Sequence, residues 1–446
     1  MKFPFYQIVI ACLLLSFSTT AQEKEKIAIR AQEKYEQLGF REAVELYQQG
    51  DNSPENIERI ANSYRLMGDS WNAARWYALL MKDNTSPINF LYYAQALQSN
   101  GEYEKAKEFY LKYNQATGYS LNPDKRGQIQ AEAIERLESF HGTTDVQIKN
   151  EWIVNSENHD FSPAFYKNGI VFVTNRPSAK TEKDAWTGDN YTSLYFVPVD
   201  ELGQVGVPEL FSFSPTAGFH DGPVSFNPKG ELAFLTKNQE LRGKKRSGKR
   251  EWNLKIHTSA RSGEGWSAPV PVDLADETSN DAHPALSPDG MLLYFSSDRP
   301  GGYGGMDLYA ARFKGGKWGH PVNLGPAVNT AGNEVFPFVT AEGTLIFASD
   351  GWGGLGGLDI FFAEKSGEMA FRDAINLGTP FNSSQDDFGL ILTPSGKTGY
   401  FSSGRDGGRG KDDIYRFSAQ SPILFGKNLT QAPDLQGNVH FFLPGQ

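Results

Sequence analysis

Five acidic residues recur at one fixed place in a repeated pattern. Asp160, Asp221, Asp281, Glu334 and Asp387 each stand nine residues before a glycine (Gly169, Gly230, Gly290, Gly343, Gly396) that sits between two strand-like runs. The residue before each acid is polar as well: His159, His220, Asn280, Asn333 and Asp386. Carboxylates at equivalent positions of a radial repeat form a ring, and at a channel mouth such a ring attracts a cation or a basic segment. The competing use is structural, each carboxylate accepting hydrogen bonds from loop amides and tying neighbouring units together. Recurrence in every unit favours the second use, because a ligand site usually breaks the symmetry. Asp307, Asp359 and Asp413 each open a further strand after a glycine-rich turn, where a carboxylate stabilises a hairpin. Asp406, Asp412 and Asp413 lack the alternating spacing of a calcium loop.

A second constellation is basic. Arg242, Lys244, Lys245, Arg246, Lys249 and Arg250 fall where one repeat lengthens, so a protruding loop is expected. Such a run is usually a solvated surface; its sharper reading is contact with an anionic partner or lipid headgroups. No motif for a nucleophile elbow, a zinc helix or a phosphate loop occurs, and the seven histidines are scattered without metal-binding spacing. No catalytic residue, metal ligand set or cofactor is therefore assigned, and the chain reads as a non-enzyme. A net charge of -10 opposes a nucleic-acid role, since phosphate binding needs clustered cations over a whole face. Trp186, Trp252 and Trp352 are candidate stacking platforms for a glycan or peptidoglycan fragment. A hydrolase or lyase built from channel residues is a further alternative, which loss of turnover on mutating His159 or His220 would support.

Two kinds of element must position these residues. Residues 23 to about 140 are rich in Ala, Glu, Lys, Leu and Tyr, with apolar positions at helical spacing such as Ile57, Ile60, Ala61 and Tyr64. Gly39, Gly68 and Gly101 each separate two helical patterns. Each is followed by a small residue (Ala43, Ala73, Ala106) and then a tyrosine (Tyr47, Tyr77, Tyr110). The spacing is close to that of a helix-turn-helix repeat, with a plain helical bundle as the alternative. From about residue 145, strands, turns and aromatics dominate, and 46 glycines in the chain fit many tight turns. The five turn glycines lie 61, 60, 53 and 53 residues apart, with about four strands to a unit. That is the pattern of propeller blades, five by this count and six if one is too divergent to see. The last unit stops after its third strand near Phe417, and VQIKNEWIVNS upstream of the first reads as its missing fourth. Pairing of the two closes the ring.

The ends give the remaining expectations. Lys2 and the apolar run Phe5–Phe17 resemble an export signal ending near Ala21, and no later stretch is long enough to span a bilayer. Cys12, the only cysteine, lies in a weak lipoprotein box, so an anchor there is the lesser alternative. The expected organisation is 1–21 leader, 22–142 helical repeats, 143–420 propeller and 421–446 tail or extra strands.

The stretches HPALSPDGMLLYFSSDRPGGYGGMDLYAAR and FPFVTAEGTLIFASDGWGGLGGLDIFFAE make the pattern specific. They resemble the WD40-like propeller repeats of TolB and of large OmpA-family envelope proteins, and the helical part resembles tetratricopeptide repeats. Leader, helical repeats and propeller in this order resemble the first half of the PorE-like proteins of type IX secretion. The resemblance implies an all-α helical-repeat domain followed by an all-β propeller. It further implies a periplasmic, outer-membrane-associated scaffold that binds other envelope proteins, among them secretion or motility components. The short segment after the propeller cannot hold that family's peptidoglycan-binding domain, so cell-wall anchoring does not carry over.

Overall fold

The structure is a computed structural model and describes residues 23–81, 85–118, 124–140, 145–177, 183–211, 213, 220–246 and 249–423. The expected leader, Cys12 and residues 424–446 lie outside the described residues. Helices come first: α1 over 23–36, α2 (Phe40–Tyr47), α3 (Pro54–Leu66), α4 (Ser70–Leu80), α5 (Pro87–Ser99), α6 (Tyr103–Thr117) and α7 (Arg126–Glu135), then a 3-10 turn over Leu137–Phe140. None of the described helices is long and apolar enough to cross a membrane.

Local chemistry sets these boundaries. Ser53 and Asp69 cap α3 and α4 by accepting the N–H of Asn56 (3.4 Å) and Asn72 (3.0 Å), which the first helical turn leaves without a partner. Gly68 and Gly101 turn the chain between helices at φ +76° and +75°, where any side chain would be strained. Beyond each turn Ala43, Ala73 and Ala106 are fully buried, so paired helices approach closely. The tyrosine that follows is buried too, and its hydroxyl donates to an amide on the preceding helix. Tyr47 reaches Gln32 (3.0 Å), Tyr77 reaches Asn62 (2.8 Å) and Tyr110 reaches Gln98 (2.5 Å). Three helix hairpins stack in this way and α7 covers the last of them.

Five β-sheets follow, and they close into a ring. Blade 1 is β2 (Asp160–Tyr166), β3 (Gly169–Thr174), β4 (Ser193–Pro198) and β5 (Glu209–Leu210). Blade 2 is β6 (Asp221–Phe226), β7 (Leu232–Arg246), β8 (Lys249–Ser262), β9 (Gly265–Trp266) and β10 (Val270–Pro271). Blade 3 is β11 (Asp281–Leu286), β12 (Leu292–Ser297), β13 (Asp307–Lys314), β14 (Lys317–Trp318) and β15 (Val322–Asn323). Blade 4 is β16 (Glu334–Val339), β17 (Leu345–Ser349), β18 (Asp359–Ala363) and β19 (Ile375–Asn376). Blade 5 is β20 (Asp387–Leu392), β21 (Thr398–Ser403), β22 (Asp413–Ala419) and, from before the first blade, β1 (Val146–Asn150).

In blades 1, 3 and 4 the second strand is buried along its whole length because both faces meet another blade, which is why it reads as an unbroken apolar run. One apolar cluster fills each blade junction. Phe172 meets Ile414 at the 5–1 junction, Val173 meets Leu235 at 1–2, and Phe234 meets Phe295 at 2–3. Tyr294 shares a cluster with Phe347 at 3–4, and Phe362 with Phe401 at 4–5.

Closure is written into side chains as well as backbone. β1 pairs antiparallel with β22 from Val146↔Ala419 to Asn150↔Tyr415. In blade 3, Asn323 donates to Asp307 (2.7 Å), and Asn329 both accepts from the N–H of Leu308 (2.8 Å) and donates to its carbonyl (3.0 Å). Blade 4 repeats this with Asn376, Asp359 and Asn382 around Ile360. Blade 5 repeats it with Asn150, Asp413 and Asn155 around Ile414, at 2.7, 2.8 and 2.9 Å. The closing strand thus supplies from the other end of the domain what the chain supplies locally in blades 3 and 4. Asn155→Ala removes the acceptor of the buried Ile414 N–H and leaves its carbonyl with the Glu151 N–H alone, and should lower stability to urea by about 1–3 kcal/mol. Asn329→Ala and Asn382→Ala should match it to within about 1 kcal/mol. A near-neutral Asn155→Ala beside two costly counterparts would contradict this equivalence.

Candidate functional site

Each acid of the ring is the first residue of an innermost strand: β2, β6, β11, β16 and β20. Asp160, Asp281, Glu334 and Asp387 are at most 1% exposed, and Asp221 is partly exposed. Asp160 accepts from the Ser156 N–H and hydroxyl and from Arg176 (2.6 Å). Asp281 accepts from Ser297 (2.8 Å), from Arg299 (2.7 Å) and, across the blade boundary, from Lys255 (2.9 Å). Asp387 accepts from Ser383 and from Arg405 (2.7 Å), while Asp221 pairs with Lys237. These carboxylates are engaged by the protein's own donors, and none lines the central cavity. His159 and His220 are spent similarly, His159 on Asp412 (2.5 Å) and His220 near Thr192 and Asp184.

Sequence reasoning missed the partners of these acids. Arg176, Arg299 and Arg405 each stand two residues after a Ser or Thr that faces the acid across the sheet. Each guanidinium lies over two aromatic rings: Phe172 and Tyr195, Phe295 and Tyr309, Phe401 and Tyr415. Each also donates to a loop carbonyl, of Val154, Leu274 and Phe381 respectively. The tripeptides TNR, SDR and SGR carry this signal in the sequence.

Blade 4 breaks the pattern, with SDG at Ser349–Gly351. A Cβ on Gly351 would fall 1.8 Å from Thr330 Oγ1, so no arginine fits there. Trp352 replaces it: its ring packs in the Phe347–Phe361 cluster and its Nε1 donates to the carbonyl of Val328 (2.8 Å). Val328 corresponds to Val154 and Phe381, each standing just before the blade's bridging asparagine (Asn329, Asn155, Asn382). The indole restores the hydrogen bond but brings no charge. Glu334 is left with neutral donors only, Thr330 N–H and hydroxyl (2.8 and 2.6 Å) and Ser349 (2.7 Å). Burial pushes its carboxyl up to about 7.

The helical unit sits on this loop. Gln130 donates to the Trp352 carbonyl (2.9 Å), and Gln98, already accepting from Tyr110, donates to the Gly354 carbonyl (2.9 Å). Gly353 passes under α7 so closely that a Cβ would lie 2.9 Å from Ala133. Further contacts come from Gln385 to the Ser99 carbonyl (2.7 Å), from Thr379 N–H to that of Phe140 (2.8 Å), and from Trp186 to that of Leu66 (2.8 Å). Trp186 also meets Phe40 edge-on at 5.0 Å. Trp186 and Trp352 are therefore committed to the seam and the core. All these loops lie at the end where the innermost strands begin, so the helical unit covers that face beside blades 1, 4 and 5.

Among the described residues the opposite face is open. There the turns between first and second strands surround a funnel of about 750 Å³ walled by Phe165, Phe226, Leu286, Phe338 and Leu392. Its charged groups sit at the rim as Lys167, Glu342, Lys365 and the Glu364–Arg372 pair (3.3 Å). A cavity of about 160 Å³ lies deeper in the ring. Its throat is obstructed by His283 stacked on Phe336 (3.9 Å), which in turn meets Phe388 (4.6 Å). Burial holds His283 neutral, pushing it down to about 3.

The basic run departs from its expectation. Its backbone belongs to β7 and β8, which extend as a two-stranded ribbon and not as a loop. The side chains of Arg242, Lys244, Lys245, Arg246, Lys249 and Arg250 lie outside the described residues.

The chain is a stack of helix hairpins seated on a five-bladed β-propeller. No family model matches it, and no curated protein matches it. Among solved structures it is similar to one assigned as TolB from Agrobacterium tumefaciens, at 16% identity over 58% of this chain and 76% of that one, with a TM-score of 0.35. A protein of unknown function from Dyadobacter fermentans is similar at 14% identity, over 62% of this chain and 100% of that one, with a TM-score of 0.40. A glycosyl hydrolase from Bacteroides ovatus is similar at 13% identity, over 58% and 84%, with a TM-score of 0.36.

Glu334 ties this geometry to pH. Its carboxyl titrates near 7 when folded against the usual 4.5, so the folded chain holds an extra proton between these values. Stability therefore falls as pH rises through that window, by about 3 kcal/mol in all, and the effect is level outside it. Glu334→Gln keeps the shape and removes the titration. Urea unfolding should show the variant gaining about 3 kcal/mol on the parent between pH 4.5 and pH 8. A parent–variant difference independent of pH would contradict the assignment.

Proposed function

We propose that this protein is a non-catalytic scaffold of the bacterial envelope, exported to the periplasm and associated with the outer membrane, that holds other proteins together. The observation that carries the reading is the division of faces. One end of the propeller is occupied by its own helical unit, and the other offers an apolar-walled funnel with charge only at its rim. Apolar walls with a polar rim bind a protruding side chain or an extended segment by burial. Through its resemblance to TolB-type repeats behind helical repeats, the assembly is an accessory part of a type IX secretion or gliding complex.

Affinity purification from gently solubilised native envelopes tests this. The parent should recover a fixed set of envelope proteins. Leu286→Asp in the funnel wall should lose at least one of them, while circular dichroism and melting show the fold retained. An identical set from parent and variant, or no stable companion at all, would count against the reading.

A further inference from the structure

Each innermost strand carries a bulge, between Phe161 and Ala164, Asp221 and Val224, Ala282 and Ala285, Val335 and Phe338, and Phe388 and Ile391. The bulge residues surround the inner cavity of about 160 Å³. That cavity shares the walls Phe165, Phe226, Leu286 and Phe338 with the funnel, so one space leads into the other.

Two residues after each ring acid stand Ser162, Pro223, His283, Phe336 and Gly389. The backbone there is left-handed in four blades, with φ of +53° at Ser162, +54° at His283, +52° at Phe336 and +64° at Gly389. Glycine holds this conformation freely, as in blade 5, whereas a side chain holds it under strain. Blades 1 and 3 thus keep polar side chains at a place where glycine would be easier.

The main chains of both residues are used by the fold. Ser162 N–H donates to Ser402 (2.8 Å) and His283 N–H to Thr236 (3.0 Å), each on the preceding blade. Their side chains line the cavity and are less engaged. His283 Nδ1 lies 3.3 Å from Ser296 Oγ, while neither His283 Nε2 nor Ser162 Oγ has a hydrogen-bond partner among the described residues. Phe336 stacks on one face of the imidazole, and among the described residues no ring stacks on the other. Blade 2, on that side, brings only Gly222 and Pro223, the smallest such pair of the five blades.

Size and polarity select the occupant. A cavity of about 150 Å³ takes one benzene ring, so a single six-membered ring suits this one. A plain ring would leave the imidazole nitrogen and the hydroxyl unpaired, and a ring with its own hydroxyl would not. Burial keeps His283 neutral, pushed down to about 3, so it matches a hydroxyl and not a carboxylate.

We infer that the inner cavity is a pocket for a tyrosine side chain, presented by an extended segment of a partner protein lying in the funnel, with Ser162 and His283 reading its hydroxyl. This names the occupant of the funnel and rests on the reading of the funnel as a docking face.

The test uses the full chain with the peptide acetyl-Ser-Val-Tyr-Val-Ser-amide, its Phe twin, and p-cresol as the free phenol. Titrations are followed at the methyl resonances of Leu390 in the cavity wall and Leu392 in the funnel wall. The Tyr peptide should shift both and bind at least about tenfold more tightly than the Phe peptide. His283→Phe and Ser162→Gly place there residues that blades 4 and 5 already carry at this φ, so melting temperatures should hold. Each should cut the preference for Tyr by about threefold or more, and either variant alone suffices for the test. Equal affinity for the two peptides, or a preference that both variants leave intact, would overturn the pocket while the funnel reading stands. Shifts at Leu390 with p-cresol but not with the Tyr peptide would overturn the choice of a protein segment. No shift at Leu392 with either peptide would overturn the funnel reading, and this inference with it.

Discussion

The pairing of β1 with β22 is the constraint on which the rest of the structure depends. A propeller blade hides its apolar faces only against its neighbours, so a ring that fails to close exposes two of them. Here Val146 meets Ala419 across the whole length of the domain, and Asn150 and Asn155 rebuild around Ile414 the polar bracket that blades 3 and 4 make locally. The same short strand is the next described element after the 3-10 turn that ends the helical unit, so the two units meet at the point of closure. The helical unit's contacts reach blades 1, 4 and 5, the blade that is closed and its two neighbours.

Within that frame two blades depart from the shared pattern, blade 2, where Lys237 pairs with Asp221, and blade 4, which seats the helical unit. Blades 1, 3 and 5 neutralise a buried acid with an arginine held between two aromatic rings. Breaking such a buried pair costs about 3–5 kcal/mol, so these arginines are strongly held in place. Blade 4 gives up the arginine for a glycine and a tryptophan, and its flattened loop receives α7 and Gln98. The cost is a carboxyl without a counter-charge, which burial pushes up to titrate near neutrality. Docking of the helical unit and the unusual titration of Glu334 thus arise from one local change. Gln98 joins the two halves of the account. In the first two hairpins the equivalent amide bonds within the helical unit, Gln32 also donating to Glu36 and Asn62 also accepting from Arg65, whereas Gln98 reaches the propeller as well.

Much of this was legible in the sequence, and the reasons differ by element. Turn glycines, the tyrosine after each helical turn and the acid nine residues before each turn are local features repeated several times, so spacing exposed them. The closing strand was legible because a unit lacking its fourth strand is a visible deficit. The arginine partners were less so, for their role appears only when the second strand is laid against the first. Trp352 read as a stacking platform because its exposure depends on a helix more than two hundred residues earlier. The basic run read as a loop because six cations in nine residues weaken any strand pattern, and cross-strand pairing is invisible to charge counting.

The central claim is that closure and the blade 4 seam hold the helical unit in one position on the propeller. Its most direct test is a spin-label distance between Trp71→Cys on α4 and Val322→Cys on β15, both on exposed positions, with Cys12 replaced by serine. A single narrow distance distribution, unchanged by added salt, is the result this account predicts. A broad or two-peaked distribution would contradict it, because the helical unit would then swing on its linker, not rest on the ring.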